Sequence, residues 1–332
     1  MAETATIKPG KAKDSATSSQ AKQKILAFSS LVILIVGFSL ASPNFFQPNN
    51  IVAIMLATAV NGVLAVGVSF VIITGGIDLS IGTMMTLTAV MSAQVIVNWH
   101  LPLFVGLLVA ILTGVTCGGI SGVMVAKLKL PPFIATLGMN MFTKGLSLIL
   151  AHSKPIYFTD TPVFSQISMG SLLNFSEEFQ IPNAVLILFA VAIVGAVVLN
   201  KTTFGRYTFA IGSNEEAARL SGINTDRWKI AVYAFSGAIV GIAGILIASR
   251  LNSAQPALGQ GYELDAIAAV VIGGTSMSGG EGTIIGTIIG AFIISTLTNG
   301  LRILSVPQEW QIVTTGIIII FAVYLDILRR RK

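Results

Sequence analysis

The sequence predicts an all-α membrane protein, a polytopic helical bundle of about ten transmembrane segments with broken helices. Of its 332 residues, 54% are hydrophobic and only 10% are charged, against about 25% charged in average proteins. So few polar side chains cannot cover a water-facing surface. The net charge is +6, and the charged residues cluster at the ends of apolar runs. These are the usual positions of Lys and Arg that flank membrane helices. No nucleic-acid partner is therefore expected.

The positions of the lysines predict the membrane topology of the first half of the chain. A polar tail, residues 1–24, ends in Lys24 and places the start of the first apolar run in the cytoplasm. A cleaved signal peptide ending near Ser42 is the alternative, which the many later runs oppose. Lys127 and Lys129 put the end of the fourth run inside again. The first five runs are 25–41, 51–74, 81–99, 103–126 and 133–151.

The second half completes a membrane domain over residues 25–328. The polar interruption 152–182 is expected in the periplasm, and the basic segment 200–229 in the cytoplasm. A basic tail, residues 329–332, follows the last run. The remaining runs are 183–199, 230–249, 264–272, 283–301 and 308–328. Because the number of runs is even, both termini are expected in the cytoplasm, and a cysteine at Ser168 should be labelled from outside.

Glycines interrupt two of the runs at similar sequences. Val71–Gly76 precedes one break, and Val270–Gly274 precedes the other. Paired interruptions of this kind point to a transport pathway, although Gly-rich membrane sequences also match by chance. Other glycines recur every four residues and predict close helix packing, since apolar lipid gives helices no hydrophobic reason to associate. These are Gly114, Gly118 and Gly122; Gly237 and Gly241; and Gly282, Gly286 and Gly290.

The residue types exclude several kinds of chemistry. The Gly-rich segment 273–282 lacks the Lys-Ser/Thr pair of a phosphate-binding loop. His100 and His152 have no neighbours at the spacing of metal ligands, and no nucleophile–base pattern is present. We therefore expect no enzyme activity and no cofactor in this chain. The energy for transport would come from an ion gradient or from a separate ATPase.

A few polar and charged residues adjoin the apolar runs. Lys144 lies midway along its run and either snorkels to an interface or faces protein or water. Asp78 follows the first break and is interpreted first as a helix cap. Glu263 and Asp265 open a run, where they complement the helix dipole.

The segment 200–229 contains more structure than a simple connection needs. Ser213 or Asn214 can cap a short helix whose first turn carries Glu215 and Glu216, and Gly222 can end it. An amphipathic helix lying on the membrane surface is the simpler alternative.

Three motifs give the chain a family resemblance. They are Gly205–Tyr207 with Ala210–Asn224, Thr74–Gly82, and Ser253–Pro256 with Gly261–Ser276. Together they resemble the permeases of bacterial sugar ABC importers, most strongly the ribose-transporting members. The resemblance covers nearly all of the chain after the N-terminal tail.

The resemblance implies a homodimer in the bacterial inner membrane, with a cytoplasmic ATP-binding subunit that uses the ATP and a periplasmic sugar-binding protein that delivers a small-molecule sugar. The short helix would dock on the ATP-binding subunit, with Ala217 and Ala218 small enough to seat closely, so that Ala218→Arg should uncouple it. The implied coupling residues are Asn214, Glu215, Glu216, Ala217, Ala218 and Gly222. The candidate pathway residues are Asp78, Gln255, Glu263 and Asp265.

The sequence allows more than one substrate and more than one energy source. D-ribose is the first expectation, and another monosaccharide or autoinducer-2 is the second. A gradient-driven secondary transporter would need paired acids within the membrane, and a structural or signalling protein would give no reason for the broken helices.

Overall fold

The computed structural model describes residues 10–174 and 180–330, and over these residues it is an all-α bundle. The helices are α1 (Gly10–Ala41), α2 (Pro48–Ile73), α3 (Ile81–Ala93, continued as a π-helix over Gln94–Asn98), α4 (Leu103–Ala126), α5 (Pro132–Leu150), α6 (Pro162–Met169), α7 (Asn183–Lys201), α8 (Thr203–Ser213), α9 (Glu215–Leu220), α10 (Thr225–Leu251), α11 (Tyr262–Ile272), α12 (Ile284–Ile303) and α13 (Gln308–Arg330). The predicted fold class is confirmed.

Seven helices of the described part of the chain are long and apolar enough to cross a membrane. They are α2, α3 with its π-helical end, α4, α5, α7, α10 and α12. The other three predicted runs correspond to the apolar part of α1, to the short α11 and to α13, so ten is an approximate count.

Helix α1 begins at Gly10, well before the apolar run predicted from residue 25. The residues between these points include several Ala, Lys and Gln, which favour the helix. The lysine at position 8, within the predicted N-terminal tail, lies outside the described residues, as do the last two residues of the predicted C-terminal tail.

Helices α2, α3 and α10 form the centre of the bundle, and most of their apolar residues are buried. Helices α4, α5 and α7 surround them and leave most of their residues exposed on the outside of the chain. The long central helices therefore carry the core, and the outer ones offer apolar surface to lipid or to another chain.

The predicted glycine faces are packed. A Cβ atom on Gly114 would overlap the carbonyl oxygen of Gly237, and one on Gly118 would overlap the carbonyl oxygen of Tyr233. Helices α4 and α10 thus touch backbone to backbone, as the four-residue spacing predicted. Such close approach supplies the van der Waals contact that lipid does not provide.

Gly286→Leu is expected to reduce the amount of folded protein. A Cβ atom at Gly286 would overlap the carbonyl oxygen of Gly273 at the end of α11. Overpacking of this kind costs about 1–3 kcal/mol or more. The measurements are yield and thermal unfolding in detergent. Gly37→Leu is the matched control, because its Cβ meets nothing within 4 Å. Equal yield and equal Tm in the two variants would show that the α11–α12 contact is not needed.

The predicted loop 152–182 is folded where the structure describes it. Strand β1 (Ile156–Tyr157) pairs antiparallel with β4 (Ser253–Ala254), and α6 packs on α7 and α10. Strands β2 (Leu173–Asn174) and β3 (Gln180–Ile181) form a second pair. The part of the loop between β2 and β3, residues 175–179, lies outside the described residues.

Ser168 proves to be the wrong position for a labelling test. Its side chain is fully buried, and its hydroxyl donates to the carbonyl of Leu246 at 2.8 Å. Its backbone N–H donates to the Ser249 hydroxyl at 2.9 Å. The sequence suggested a solvated loop, but α6 turns this face of the loop into the bundle.

Leu172→Cys is expected to react from outside the intact inner membrane, because Leu172 is 79% exposed and lies in the loop predicted to be periplasmic. Labelling with a membrane-impermeant maleimide in cells with a permeabilised outer membrane measures this. Cys117, which is buried, is replaced by Ala in both variants, and Ser168→Cys is the unreactive control. Reaction of Leu172→Cys only after lysis of the inner membrane would reverse the predicted topology.

Candidate functional site

The short helix predicted within segment 200–229 is α9, and its start is capped as the sequence indicated. Asn214 is the N-cap residue, and its side-chain oxygen accepts a hydrogen bond from the Ala217 N–H at 2.9 Å. Glu215 and Glu216 lie in the first turn, where negative charge is favoured by the helix dipole. The cap fixes where α9 begins, immediately after α8 ends.

Gly222 ends α9 in the left-handed conformation, with φ of 85°. Its N–H donates to the carbonyl of Arg219 at 3.0 Å, and the Ile223 N–H donates to the carbonyl of Ala218 at 3.1 Å. This pair of bonds is the Schellman motif. The predicted stop at Gly222 is confirmed, and both ends of α9 are closed by hydrogen bonds.

An ion pair connects α9 to the start of α10. The Lys229 ammonium lies 2.6 Å from the Glu215 carboxylate, and the Lys229 side chain is 17% exposed. A second pair, Lys129 with Asp226 at 2.7 Å, is largely exposed and adds little stability. Glu215 therefore orients α9 on this chain, which leaves the neighbouring Glu216 free of that role.

The two alanines of α9 face different surroundings. Ala218 is 5% exposed and packs inside this chain, whereas Ala217 is exposed. Successive helix residues are about 100° apart, since a turn holds 3.6 residues. The expectation that Ala218 seats against a partner is therefore wrong.

Leu220 is the residue of α9 that sequence reasoning missed. It is 83% exposed and lies three residues after Ala217, which places both on one side of the helix. The three-residue spacing of Ala217 and Leu220 could therefore have identified this side of α9 from the sequence. The outward surface of α9, formed by Glu216, Ala217 and Leu220, is here called the docking face.

An aromatic cluster holds α8 against the bundle. The ring of Phe204 packs 6.0 Å from Phe70 of α2, 5.3 Å from Phe235 of α10 and 5.8 Å from Trp228 of α10, measured between centroids. Tyr207 packs edge-to-face on Trp228 at 4.9 Å. The first turns of α8 are therefore fixed on the long central helices α2 and α10.

The other end of α8 meets both helix breaks. The Gly280 N–H donates to the carbonyl of Ile73 at 2.9 Å. A Cβ on Gly212 would overlap that same carbonyl, and a Cβ on Gly279 would lie 2.8 Å from the Gly75 nitrogen. We call this backbone contact of residues 73–75, 212–213 and 278–280 the glycine seam. It joins the segment carrying α9 directly to the two interrupted helices.

The two breaks have the same local geometry. Gly75 and Gly274 both adopt positive φ, 78° and 91°, and each follows a helix end closed by two hydrogen bonds. The bonds are Gly75 N–H to Ile72 O at 2.8 Å, Gly76 N–H to Val71 O at 3.1 Å, Gly274 N–H to Val271 O at 2.9 Å and Thr275 N–H to Val270 O at 3.1 Å. The similarity noticed in the sequence is thus a repeated Schellman ending.

Asp78 does not cap helix α3, contrary to the favoured interpretation. The N-cap residue is Ser80, which makes no side-chain cap bond. Asp78 is buried, and its carboxylate accepts from the Ser80 N–H at 2.9 Å and from the Ser80 hydroxyl at 2.6 Å. The carboxylate therefore fixes the turn before α3. An Asp side chain readily accepts such a bond from the N–H two residues further along the chain.

Helix α5 satisfies the non-helical backbone after the first break. The Asn140 amide donates to the carbonyl of Leu79 at 2.7 Å, and the Thr136 hydroxyl donates to the carbonyl of Ile77 at 3.3 Å. Backbone groups at membrane depth need such partners because lipid supplies none. The break is thus held in the bundle by hydrogen bonds from α5.

The other pathway candidates lie around the start of α11. Glu263 is buried, accepts from the Gly261 N–H at 3.1 Å and packs on Gly82 of α3. Asp265 is half-buried in the same first turn. Gln255 lies in the preceding loop and donates to the Ser253 hydroxyl at 3.4 Å. The fold therefore brings Glu263 close to the first turn of α3. Asp78 lies just before that turn, but its carboxylate bonds to Ser80.

These features define a class of protein, the multi-pass membrane transport subunit. They are the helices long enough to cross a membrane, the two interrupted helices, and a capped helix that is joined to both interruptions. The chain belongs to the permease family described as the branched-chain amino acid transport system / permease component, which residues 50–323 match.

Three relatives of this chain are permeases named for sugars. The chain is 42% identical to the ribose import permease of Haemophilus influenzae over 90% of its own length and 92% of that protein. It is 42% identical to the ribose import permease of Bacillus subtilis over 92% of each. It is 33% identical to the xylose transport system permease of Haemophilus influenzae over 91% and 95%. These relatives are transport subunits rather than enzymes.

Proposed function

We propose that this chain is the translocation subunit of an ATP-driven importer of D-ribose in the bacterial inner membrane. It works as a homodimer with a cytoplasmic ATP-binding subunit, and a periplasmic binding protein delivers the sugar. The named substrate of the relatives at 42% identity supports ribose, and the lower identity to a xylose permease supports it over xylose.

The observation that carries the proposal is the continuity between the docking face and the helix breaks. Helix α9 is capped at both ends and presents Leu220 outward, and α8 touches both breaks through the glycine seam. A partner that moves α9 therefore moves the parts of the bundle whose helices are already interrupted.

The mechanism assigns ATP hydrolysis to the partner and conformational change to this chain. Closure of the ATP-binding subunits displaces α9, and the seam transmits that displacement to residues 73–80 and 273–282. The breaks then favour the outward-open or the inward-open arrangement, because the bound partner interacts differently with the two. The sugar crosses while the breaks change, and this chain needs no cofactor of its own.

Reconstitution in proteoliposomes tests the proposal. Uptake of radiolabelled ribose is expected only when this chain, the ATP-binding subunit, ATP and the sugar-loaded binding protein are all present. Excess unlabelled xylose should compete weakly, and excess ribose fully. Uptake by this chain alone in an ion gradient would establish a secondary transporter instead. Stronger competition by xylose or autoinducer-2 would reassign the substrate.

A further inference from the structure

Lys144 lies close to the middle of α5, a helix long and apolar enough to cross a membrane. Helix α5 runs from Pro132 to Leu150, so its middle residue is Met141, and Lys144 is only about 5 Å further along the axis at 1.5 Å per residue. Its ammonium is held by another part of this chain. It donates to the side-chain oxygen of Gln260 at 2.9 Å, and this hydrogen bond is exposed on the outside of the chain.

The loop that carries Gln260 is at the same depth. Thr86 of α3 donates from its hydroxyl to the carbonyl of Leu258, and Gly259 packs directly on Gly82 of α3. The Thr83 hydroxyl, on the same turn of α3, lies 2.8 Å from the hydroxyl of Thr143, the neighbour of Lys144. The non-helical loop 255–261 therefore enters the membrane beside the middle of α5.

This face cannot be covered by lipid. Ala257 and Gln260 are exposed in the isolated chain, and Leu264, at the start of α11, is 50% exposed. Irregular backbone at membrane depth occurs only where protein buries it or where it lines a water-filled space. A charged side chain at the same depth has the same requirement.

We propose that Lys144 and Gln260 form a sugar-binding point on the wall of a water-filled pathway between two copies of this chain. The proposal rests on the homodimeric importer proposed above and names the part of it that contacts substrate. The ammonium donates hydrogen bonds, and the amide both donates and accepts them. A neutral, hydroxyl-rich sugar matches this pair, since each sugar hydroxyl can accept from Lys144 or exchange with Gln260.

Cysteine accessibility tests the water-filled wall. Gln260→Cys and Leu264→Cys, in a chain with Cys117 replaced by Ala, are treated with a permanently charged methanethiosulfonate in the assembled transporter. Ile193→Cys is the matched control, because Ile193 is 63% exposed near the middle of α7. Gln260→Cys and Leu264→Cys should react at least tenfold faster than Ile193→Cys. Rates as slow as that of Ile193→Cys would overturn the proposal.

Uptake measurements test sugar contact. Lys144→Met and Gln260→Leu should each lower ribose uptake at least tenfold while the ATP-binding subunit still co-purifies. Lys144→Arg, which keeps a donor, should retain most uptake. Unchanged uptake in both apolar variants would overturn the assignment of the pair. Absence of uptake by the unmodified transporter would instead reject the proposed function, and the labelling rates would still decide whether the wall is wet.

Discussion

Ala217→Arg is expected to detach the ATP-binding subunit while the permease remains folded. The side chain at position 217 is exposed and lies beside Leu220 on the docking face, so a long cation there obstructs a partner and nothing within this chain. Co-purification of the two subunits should fall at least tenfold, and ribose uptake should fall with it. Yield and thermal unfolding of the permease should change little, since exposed substitutions cost about 0.5 kcal/mol or less.

Ala218→Arg is the matched comparison, and it should fail for the opposite reason. Its methyl group is buried within the chain, and burial of an unpaired charge is strongly unfavourable. The folded permease itself should therefore decrease. Two neighbouring Ala→Arg changes thus separate docking from folding. Normal co-purification in Ala217→Arg would place the partner's contact away from α9.

Gly212→Ala is expected to uncouple the transporter while leaving the ATP-binding subunit attached. The added methyl group would overlap the carbonyl oxygen of Ile73 and come within 2.6 Å of the Gly280 nitrogen. One of the three backbone segments of the glycine seam must move, which separates α8 from the breaks. Ribose uptake and sugar-stimulated ATP hydrolysis should each fall at least tenfold, with co-purification unchanged.

Gly119→Ala is the control for that experiment, because its Cβ would be 4.0 Å from the nearest atom, on Ala234. Normal uptake in Gly212→Ala would show that the seam does not transmit motion. Loss of subunit binding in Gly212→Ala would assign Gly212 to folding of the segment rather than to coupling.

Local features of the site were predictable from the sequence. The cap at Asn214, the stop at Gly222 and the two breaks all depend on bonds between residues a few positions apart. The glycine faces of α4 and α10 followed from a four-residue spacing. These predictions needed no knowledge of distant parts of the chain.

Distant contacts were not predictable in the same way. The glycine seam joins Ile73, Gly212 and Gly280, and no sequence pattern relates positions so far apart. The inward direction of Ala218 depends on how α9 lies against the bundle, which a helix of six residues does not determine by itself. Ser168 was misplaced because a polar loop sequence does not reveal that α6 packs on α7 and α10.

The contrast between the two ends of α8 has a mechanical consequence. One end is held by large aromatic rings, and the other end meets the two breaks mainly through close backbone contacts. A rod of this kind can act as a lever about 12 Å long, with its pivot at Phe204 and its load at Gly212. In the proposed transporter, force applied at α9 would enter on the load side, and α8 would pass the displacement to the two helix breaks.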